Sequence, residues 1–194
     1  MQEFIRQFVK ICADELAVRG PLYEFGAYQV KEVAEENLRP IFPDIEYIGT
    51  DMRAGPGVDI VLNLHDIDLP DDSAECVLCL ETLEHVEYPR RALSEIYRIL
   101  SPTGIAIISS QFYFPIHNYP NDYWRFTPEG FRSLLKEFNY SAVFSFGEKP
   151  EFPASVVGVG IKGKTPDNLE TFVAKGEHWE KWNTAMSLKL SNTE

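Results

Sequence analysis

Polar residues recur where the apolar, strand-like segments of this 194-residue chain end. In an open parallel sheet, ligands bind beyond the carboxyl ends of the strands, near the point where the strand order reverses. One polar residue at such a position has a simple explanation, because turns favour Asp, Gly and Thr. Four such positions in succession predict a shared ligand-binding rim. In chain order they are Glu24 with Gly26, then Asp51, then His65 with Asp66, then Glu81 with Thr82.

A second stretch that could do chemistry, residues 112–126, mixes aromatic with polar side chains. It leaves the carboxyl end of a predicted strand, Ile105–Ser109, so it should cover the same rim. So many aromatic residues outside regular periodicity favour a lid that grips a substrate over a packed surface loop. The candidate substrate-binding residues are His117, Tyr119, Asp122, Tyr123, Trp124 and Arg125.

Proton transfer points to the histidines of these segments, because imidazole titrates near neutrality. His117 lies in the predicted lid and is the preferred general base, although Asp122 or Tyr119 could serve equally. His85 precedes a predicted helix, and holding that loop is the favoured role for it.

The spacing of Cys76 and Cys79 is typical of a metal or redox motif, but both lie in an apolar run that predicts a buried strand. Side chains alternate along a strand, so two cysteines three positions apart point to opposite faces. They are therefore interpreted as small core residues, and no metal site is predicted. The low number of cysteines in the whole chain suits reduced thiols in a cytoplasmic protein.

The elements that position these residues alternate between strands and helices, which favours a mainly parallel α/β sheet covered on both faces. The last two predicted strands lie near Ser141–Phe146 and Ser155–Ile161. The segment between them is too short for a crossover helix, so they should pair antiparallel. The other predicted strands are Leu22–Phe25, Ile45–Gly49, Val58–Leu64, Ala74–Leu80 and Ile105–Ser109.

Length and periodicity predict one domain over residues 1–164, followed by a tail, 165–194, that is either helical or loose. The net charge of -12 argues against nucleic acid and anionic lipid as partners. No apolar stretch of about eighteen residues and no leader-like N-terminus is present, so neither a membrane span nor secretion is expected. A small-molecule partner and a cytoplasmic location fit best, and the oligomeric state is left open.

The most specific sequence pattern lies between Asp66 and Val86. It consists of a Leu-Pro pair, an acidic turn, an apolar strand and the sequence Leu-Glu-His-Val. A predicted helix and a turn follow over residues 91–104. Over residues 19–163 the chain resembles the class I S-adenosylmethionine-dependent methyltransferases, in particular the small-molecule group called type 11. The resemblance implies a Rossmann-like, seven-stranded sheet and S-adenosylmethionine as the cofactor.

The resemblance also assigns cofactor contacts. Glu24 opens the glycine loop, and Gly26 lets the backbone approach the methionine part of the cofactor. Asp51 would accept hydrogen bonds from both ribose hydroxyls, because a carboxylate offers two oxygens to a diol. Met52 would lie against one face of the adenine, and Glu81 belongs to the same cofactor-binding set.

At the far end of the adenine, Asp66 would accept from the amino group and Ile67 would cover the other face. An alignment shifted by one position would instead place His65 at the edge of the ring.

Tyr28 departs from the family pattern, which has a second glycine at that position. Glycine permits positive φ and close backbone approach, and tyrosine carries a steric cost for either. The ring could turn outward, hydrogen-bond the cofactor or block the site.

The sequence therefore predicts methyl transfer from S-adenosylmethionine to a small-molecule acceptor. The alternative is a catalytically inactive cofactor-binding or regulatory protein that retains the fold, as Tyr28 suggests. A nicotinamide-dependent oxidoreductase is disfavoured, because no Gly-x-Gly-x-x-Gly loop follows the first strand.

Overall fold

The computed structural model describes residues 2–29, 37–117, 120–149 and 151–191, the last four without their side chains. These residues form one seven-stranded sheet with the strand order β3-β2-β1-β4-β5-β7-β6. The strands are β1 (Leu22–Phe25), β2 (Tyr47–Asp51), β3 (Ile60–Val61), β4 (Ala74–Leu80), β5 (Leu100–Gln111), β6 (Tyr140–Phe146) and β7 (Ser155–Ile161).

Helices cover both faces of this sheet. Thr127 caps the third helix by accepting a hydrogen bond from the Gly130 N–H at 3.0 Å, as its sequence predicts. A helical pattern at Val30, Val33 and Ala34 lies outside the described residues. The described helices are α1 (Glu3–Glu15), α2 (Pro89–Ile99), α3 (Pro128–Leu134) and α4 (Leu169–Ser191), with 3₁₀ turns at Arg39–Ile41 and Leu83–His85.

The pairing of the strands confirms the predicted fold class. Strands β3, β2, β1, β4 and β5 run parallel, whereas β7 pairs antiparallel with both β5 and β6. The strand order reverses between β1 and β4, because β1 pairs with β2 on one side and with β4 on the other. Their carboxyl ends therefore flank the position where this fold binds ligands.

Two predicted strand limits are wrong at the edge of the sheet. The second strand runs over Tyr47–Asp51 and not Ile45–Gly49, and the third covers only Ile60–Val61 of the predicted Val58–Leu64. The third strand is short because the chain turns at Asn63, whose side-chain oxygen accepts from the His65 N–H at 2.9 Å. This turn determines which of the following side chains reach the site.

The core consists of two apolar clusters, one on each face of the sheet. Cys79 belongs to the cluster beneath α2 and α3, whereas Cys76 belongs to the cluster beneath α1 and α4. The alternation of side chains thus separates the two thiols as predicted. Burial raises the pKa of both thiols well above the ordinary value, so they remain protonated core residues.

The C-terminal segment is a helix that completes the second cluster. Phe172 of α4 is fully buried, and Trp179 is 4% exposed. The Trp179 indole N–H donates to the Phe4 carbonyl of α1 at 2.9 Å, which ties the two ends of the chain together. The predicted division at residues 164 and 165 stays a prediction. Among the described residues, no helix is both long and apolar enough to cross a membrane.

Glu24 is a buried carboxylate in the central strand β1. It accepts a hydrogen bond from the Tyr47 hydroxyl at 2.7 Å, and the guanidinium of Arg39 lies over the Tyr47 ring at 4.9 Å from its centroid. Burial raises the pKa of Glu24 to about 7, although the Tyr47 hydrogen bond and the Arg39 charge oppose this. The carboxylate therefore imposes a cost on the fold at neutral pH.

This cost predicts a pH dependence of stability that Glu24→Gln removes. The folded protein binds the proton of Glu24 more tightly than the unfolded chain does. The stabilisation that this proton gives the folded state is therefore complete below the ordinary pKa of 4.5 and is lost as pH rises through about 7. The free energy of unfolding of Glu24→Gln relative to wild type should rise by roughly 2–3 kcal/mol between pH 5 and pH 8 in urea titrations. The exposed Glu46→Gln serves as control, and an equal difference at both pH values would contradict the assignment.

Candidate active site

A cavity of about 610 Å³ opens at the carboxyl ends of β1, β2, β4 and β5. Its volume lies within the range of ordinary ligand-binding sites. It sits at the reversal of strand order, where the sequence places the rim. Of the predicted site residues, the cavity wall includes Gly26, Tyr28, Asp51, Met52, Glu81, His117 and Tyr123.

The turn after β1 depends on the lack of a side chain at Gly26. Its φ is +85°, and a Cβ there would lie 2.0 Å from the Thr82 hydroxyl oxygen, in the loop after β4. The N–H groups of Gly26 and Ala27 both donate to the Thr50 carbonyl at 2.9 Å. The turn is thus held against the ends of β2 and β4 at once.

Tyr28 lies along the wall of the cavity. Its ring packs against Gly55, where a Cβ would lie 2.2 Å from the tyrosine Cε2, and the Arg53 guanidinium covers it at 4.6 Å from the ring centroid. Its φ is not positive, so the loop does not require glycine conformation at this position. Tyr28 and Gly55 form a complementary pair, and the cavity remains open beside them.

Asp51 ends β2 and is 8% exposed. Its Oδ1 accepts from the Arg53 N–H at 2.9 Å and from Arg53 Nε at 3.2 Å. These bonds fix the orientation of the carboxylate toward the cavity. Met52 beside it is 58% exposed and offers a flexible apolar surface.

Asp66 and Ile67 lie outside the cavity wall, and Leu64 and His65 line it in their place. Asp66 is exposed, whereas the Ile67 side chain is buried and its N–H donates to Glu95 at 2.9 Å. The turn at Asn63 accounts for this shift, because it ends β3 early. Of the two alternatives, His65 and not Asp66 therefore lines this edge of the cavity.

Glu24 also lies outside the wall, since its carboxylate bonds to Tyr47. Glu81 lies inside, and its φ of +48° marks the sharp turn that leaves β4. Its carboxylate accepts from Gln2 Nε2 at 3.0 Å and from the Gln111 side-chain amide. Burial raises the pKa of Glu81, and these two hydrogen bonds oppose the shift.

Gln2 and Gln111 are wall residues that the sequence analysis missed. Gln111 ends β5, so the rule that located Asp51 and Glu81 could have found it. No pattern in the sequence points to Gln2, because its position depends on how α1 packs across the sheet.

The other end of the cavity brings together Glu84, His85 and His117. Glu84 is 1% exposed and accepts from the Ser110 hydroxyl at 2.6 Å. Burial raises the pKa of Glu84, and the Ser110 hydrogen bond opposes the shift. The two imidazole rings stand nearly perpendicular, with their centroids 4.7 Å apart. Burial also lowers the pKa of His85, so neutral imidazole is favoured there.

Asp122 supports His117 from behind. Its Oδ2 accepts a hydrogen bond from the backbone N–H of His117 at 2.9 Å and lies 3.0 Å from the ring atom Nδ1 of the same residue. Arg125 forms an ion pair with the same carboxylate. The Arg125 hydrogen bond holds the pKa of Asp122 well below its ordinary value. Such a carboxylate is a poor proton acceptor at neutral pH, so the alternative of Asp122 as the general base is disfavoured.

Some of the remaining lid residues line the cavity, and the others hold the lid backbone in place. Tyr123 lines the cavity, whereas Trp124 and Arg125 lie outside its wall. The Trp124 indole N–H donates to the Val86 carbonyl at 3.0 Å, and Arg125 donates to the Phe114 carbonyl at 3.2 Å. They hold the segment in place. Tyr119 lies outside the described residues.

Comparison with known proteins supports the predicted enzyme class. Residues 29–108 match a family model described as a methyltransferase domain. No curated protein matches the sequence significantly.

Several solved structures are similar to this chain. A putative methyltransferase in complex with the Haloferax volcanii Trm112 methyltransferase activator has a TM-score of 0.62 and 15% identity, over 84% of this chain and 92% of that one. Burkholderia thailandensis 1,6-didemethyltoxoflavin-N1-methyltransferase, with its acceptor and S-adenosylhomocysteine bound, has a TM-score of 0.61 and 15% identity, over 83% and 79%.

A Thermotoga maritima S-adenosylmethionine-dependent methyltransferase, possibly acting on histamine, is 20% identical, with a TM-score of 0.53 over 81% of this chain and 91% of that one. At these identities the structures establish the fold. The family match over residues 29–108 indicates a methyltransferase domain, in line with the predicted enzyme class.

The geometry of the first turn predicts that Gly26→Ala is poorly tolerated. The added Cβ would collide with Thr82 and would have to adopt a positive φ, which together should cost more than about 2 kcal/mol of folding stability. Urea unfolding measures this cost. The control is Gly130→Ala, where a Cβ would find its nearest neighbour at 3.5 Å. Equal effects of the two substitutions would show that the turn at Gly26 relaxes freely.

Proposed function

We propose, from the premise that the chain is a class I S-adenosylmethionine-dependent methyltransferase, that its acceptor is a small molecule bound beside Glu84, His85 and His117. The observation that carries the proposal is the cavity itself. One continuous space joins Gly26 and Asp51, at the ends of β1 and β2, to the histidines beyond β4 and β5. A donor and an acceptor bound at its two ends would meet inside it.

The residues at the β1–β2 end suit the cofactor. Gly26 keeps the backbone bare at the turn, and Asp51 presents a carboxylate suited to a ribose diol. Glu81 lies between the two ends of the cavity. The positively charged ammonium group of the cofactor's methionine part would offset the cost of burying the Glu81 carboxylate. His65 and Leu64 would border the adenine.

The cofactor supplies a methyl group on a positively charged sulfur, and its departure as a neutral thioether needs no general acid. The protein therefore contributes mainly alignment and the exclusion of water. The lone pair of the acceptor forms the new bond to the methyl carbon while the carbon–sulfur pair stays on sulfur. Where the acceptor atom is a protonated oxygen or nitrogen, His117, oriented by Asp122, is placed to accept the proton that this atom loses.

A small acceptor is favoured over a macromolecule for two reasons. The net charge of -12 would repel nucleic acid. The segment that bears His117 and Tyr123 also forms one wall of the cavity and limits its size. A cytoplasmic location accords with the three buried, free cysteines.

The position of Tyr28 removes the main argument for a catalytically inactive protein. Its ring packs on Gly55 along the wall and leaves the cavity open. A separate test of this residue therefore shows whether the native ring blocks the cofactor.

Asp51→Ala tests the proposed cofactor end. Loss of charged hydrogen bonds should weaken S-adenosylmethionine binding at least tenfold in calorimetry. The exposed Asp68→Ala is the matched control and should bind as wild type does. Asp51→Asn, which keeps the shape, guards against misfolding of the alanine variant. Absence of binding to the wild-type chain would contradict the proposal, and binding should be followed by a screen of small acceptors with labelled cofactor.

A double-mutant cycle tests whether Tyr28 obstructs the site. Gly55→Ala should push the ring into the cavity and weaken cofactor binding about tenfold or more, because the new Cβ would lie 2.2 Å from Tyr28 Cε2. Tyr28→Ala alone should bind within a few-fold of wild type, and the double variant should recover that affinity. A large gain in affinity for Tyr28→Ala would instead show that the native ring blocks the cofactor.

A further inference from the structure

Glu84, His85 and His117 bring three metal-ligating side chains to one point of the cavity wall. One potential ligand atom from each lies within 4.8 Å of the others. Ligands held about 2.1 Å from one ion stand about 3–4 Å apart, so small side-chain rotations would close the set. Glu84 and His85 are neighbours in the 3₁₀ turn after β4, and His117 reaches them from the lid.

The imidazoles are oriented as metal ligands usually are. His85 Nδ1 lies 2.5 Å from the Asn121 carbonyl oxygen, and His117 Nδ1 lies 3.2 Å from the Pro115 carbonyl and 3.0 Å from Asp122 Oδ2. An oxygen acceptor at Nδ1 favours the tautomer with its proton there, so Nε2 keeps the lone pair. Metal-bound histidines commonly donate their second ring N–H to a carbonyl or a carboxylate in this way.

The burial of Glu84 favours a cation in the same place. Its carboxylate is 1% exposed and accepts from a neutral hydroxyl, that of Ser110, at 2.6 Å. A buried carboxylate is costly unless it is paired with a positive charge or coordinates a metal.

We propose that Glu84, His85 and His117 bind a divalent transition-metal ion, such as Zn²⁺, at the acceptor end of the cavity. Two imidazoles and one carboxylate suit such ions better than Mg²⁺, which prefers oxygen ligands throughout. Three protein ligands leave coordination positions open to a substrate.

The bound ion defines the class of acceptor, and this step rests on the proposed methyltransferase function. A cation lowers the pKa of a hydroxyl that it coordinates and orients the oxygen. The acceptor is then a hydroxyl-bearing molecule that would lose its proton to solvent on coordination. Its oxygen would then take the methyl group, and the carbon–sulfur electron pair would stay on the neutral thioether. His117 serves as a ligand in this arrangement, in place of the general base that the sequence predicts.

The sequence predicts no metal site, because these three ligands do not follow a recognisable spacing. His117 lies far from Glu84 and His85 along the chain, and the fold of the lid brings them together. The Cys76–Cys79 spacing, which does resemble a metal motif, belongs to the core.

The test is metal binding by the untagged, chelator-treated chain, with Zn²⁺ in calorimetry and Co²⁺ in visible absorption. Wild type should bind one ion, and Glu84→Gln, His85→Gln and His117→Gln should each weaken binding at least tenfold. Asp122→Asn removes only the oriented support of His117 and should weaken binding by about tenfold as well. His178→Gln alters an exposed histidine of α4 and should bind as wild type does.

Binding of S-adenosylmethionine to the same proteins separates this proposal from the proposed function. Cofactor binding without metal binding would overturn the metal site and leave the methyltransferase intact. Metal binding that all three ligand substitutions leave unchanged would also overturn it, since the ion would then lie elsewhere. Metal binding that depends on the three ligands, in a chain that binds no cofactor, would support the site and reject the methyltransferase.

Discussion

The contact between the turn after β1 and Thr82 is the constraint on which the site depends. Gly26 lets these two loops touch at the reversal of strand order, and the Thr50 carbonyl ties the same turn to β2 through two N–H groups. Three strand ends are therefore fixed relative to one another before any ligand binds. A cavity between them follows from the sheet topology, and the residues at those ends determine its chemistry.

Buried carboxylates give this region its chemistry and also lower its folding stability. Glu24, Glu81 and Glu84 all have a raised pKa, and burial is the largest cause for each. Only Glu81 and Glu84 reach the cavity, where a positively charged ligand could compensate them. Glu24 bonds instead to Tyr47 beneath the turn. Proteins commonly give up stability for function in this manner, and here the cost falls on the strands that hold the site.

The sequence predicts what depends on local pattern. Strand ends followed by polar residues located Gly26, Asp51 and Glu81, because parallel strands present their carboxyl ends at one edge. The same rule named His65 together with Asp66, and only His65 lines the cavity, since a short edge strand and the turn at Asn63 changed which side chains face inward. Register after such a turn is set by tertiary contacts, which no periodicity records.

Contacts distant in sequence were beyond prediction for the same reason. Gln2 reaches Glu81 only because α1 packs across the sheet, and His117 meets His85 only because the lid folds back. The lid also shows why residue type alone misassigns roles. Its most polar members, Asp122 and Arg125, neutralise each other in an ion pair and fix the backbone.

Under the proposed function, recognition of an acceptor would depend on the lid residues that lie on the cavity wall. Phe114 and Tyr123 offer aromatic faces, and His117 and Asn121 offer polar atoms. Aromatic faces with a few directed polar groups suit a compact acceptor that carries both apolar and polar parts. Because the ion pair between Asp122 and Arg125 already holds the described residues around it, a proposed acceptor would not have to order them on binding.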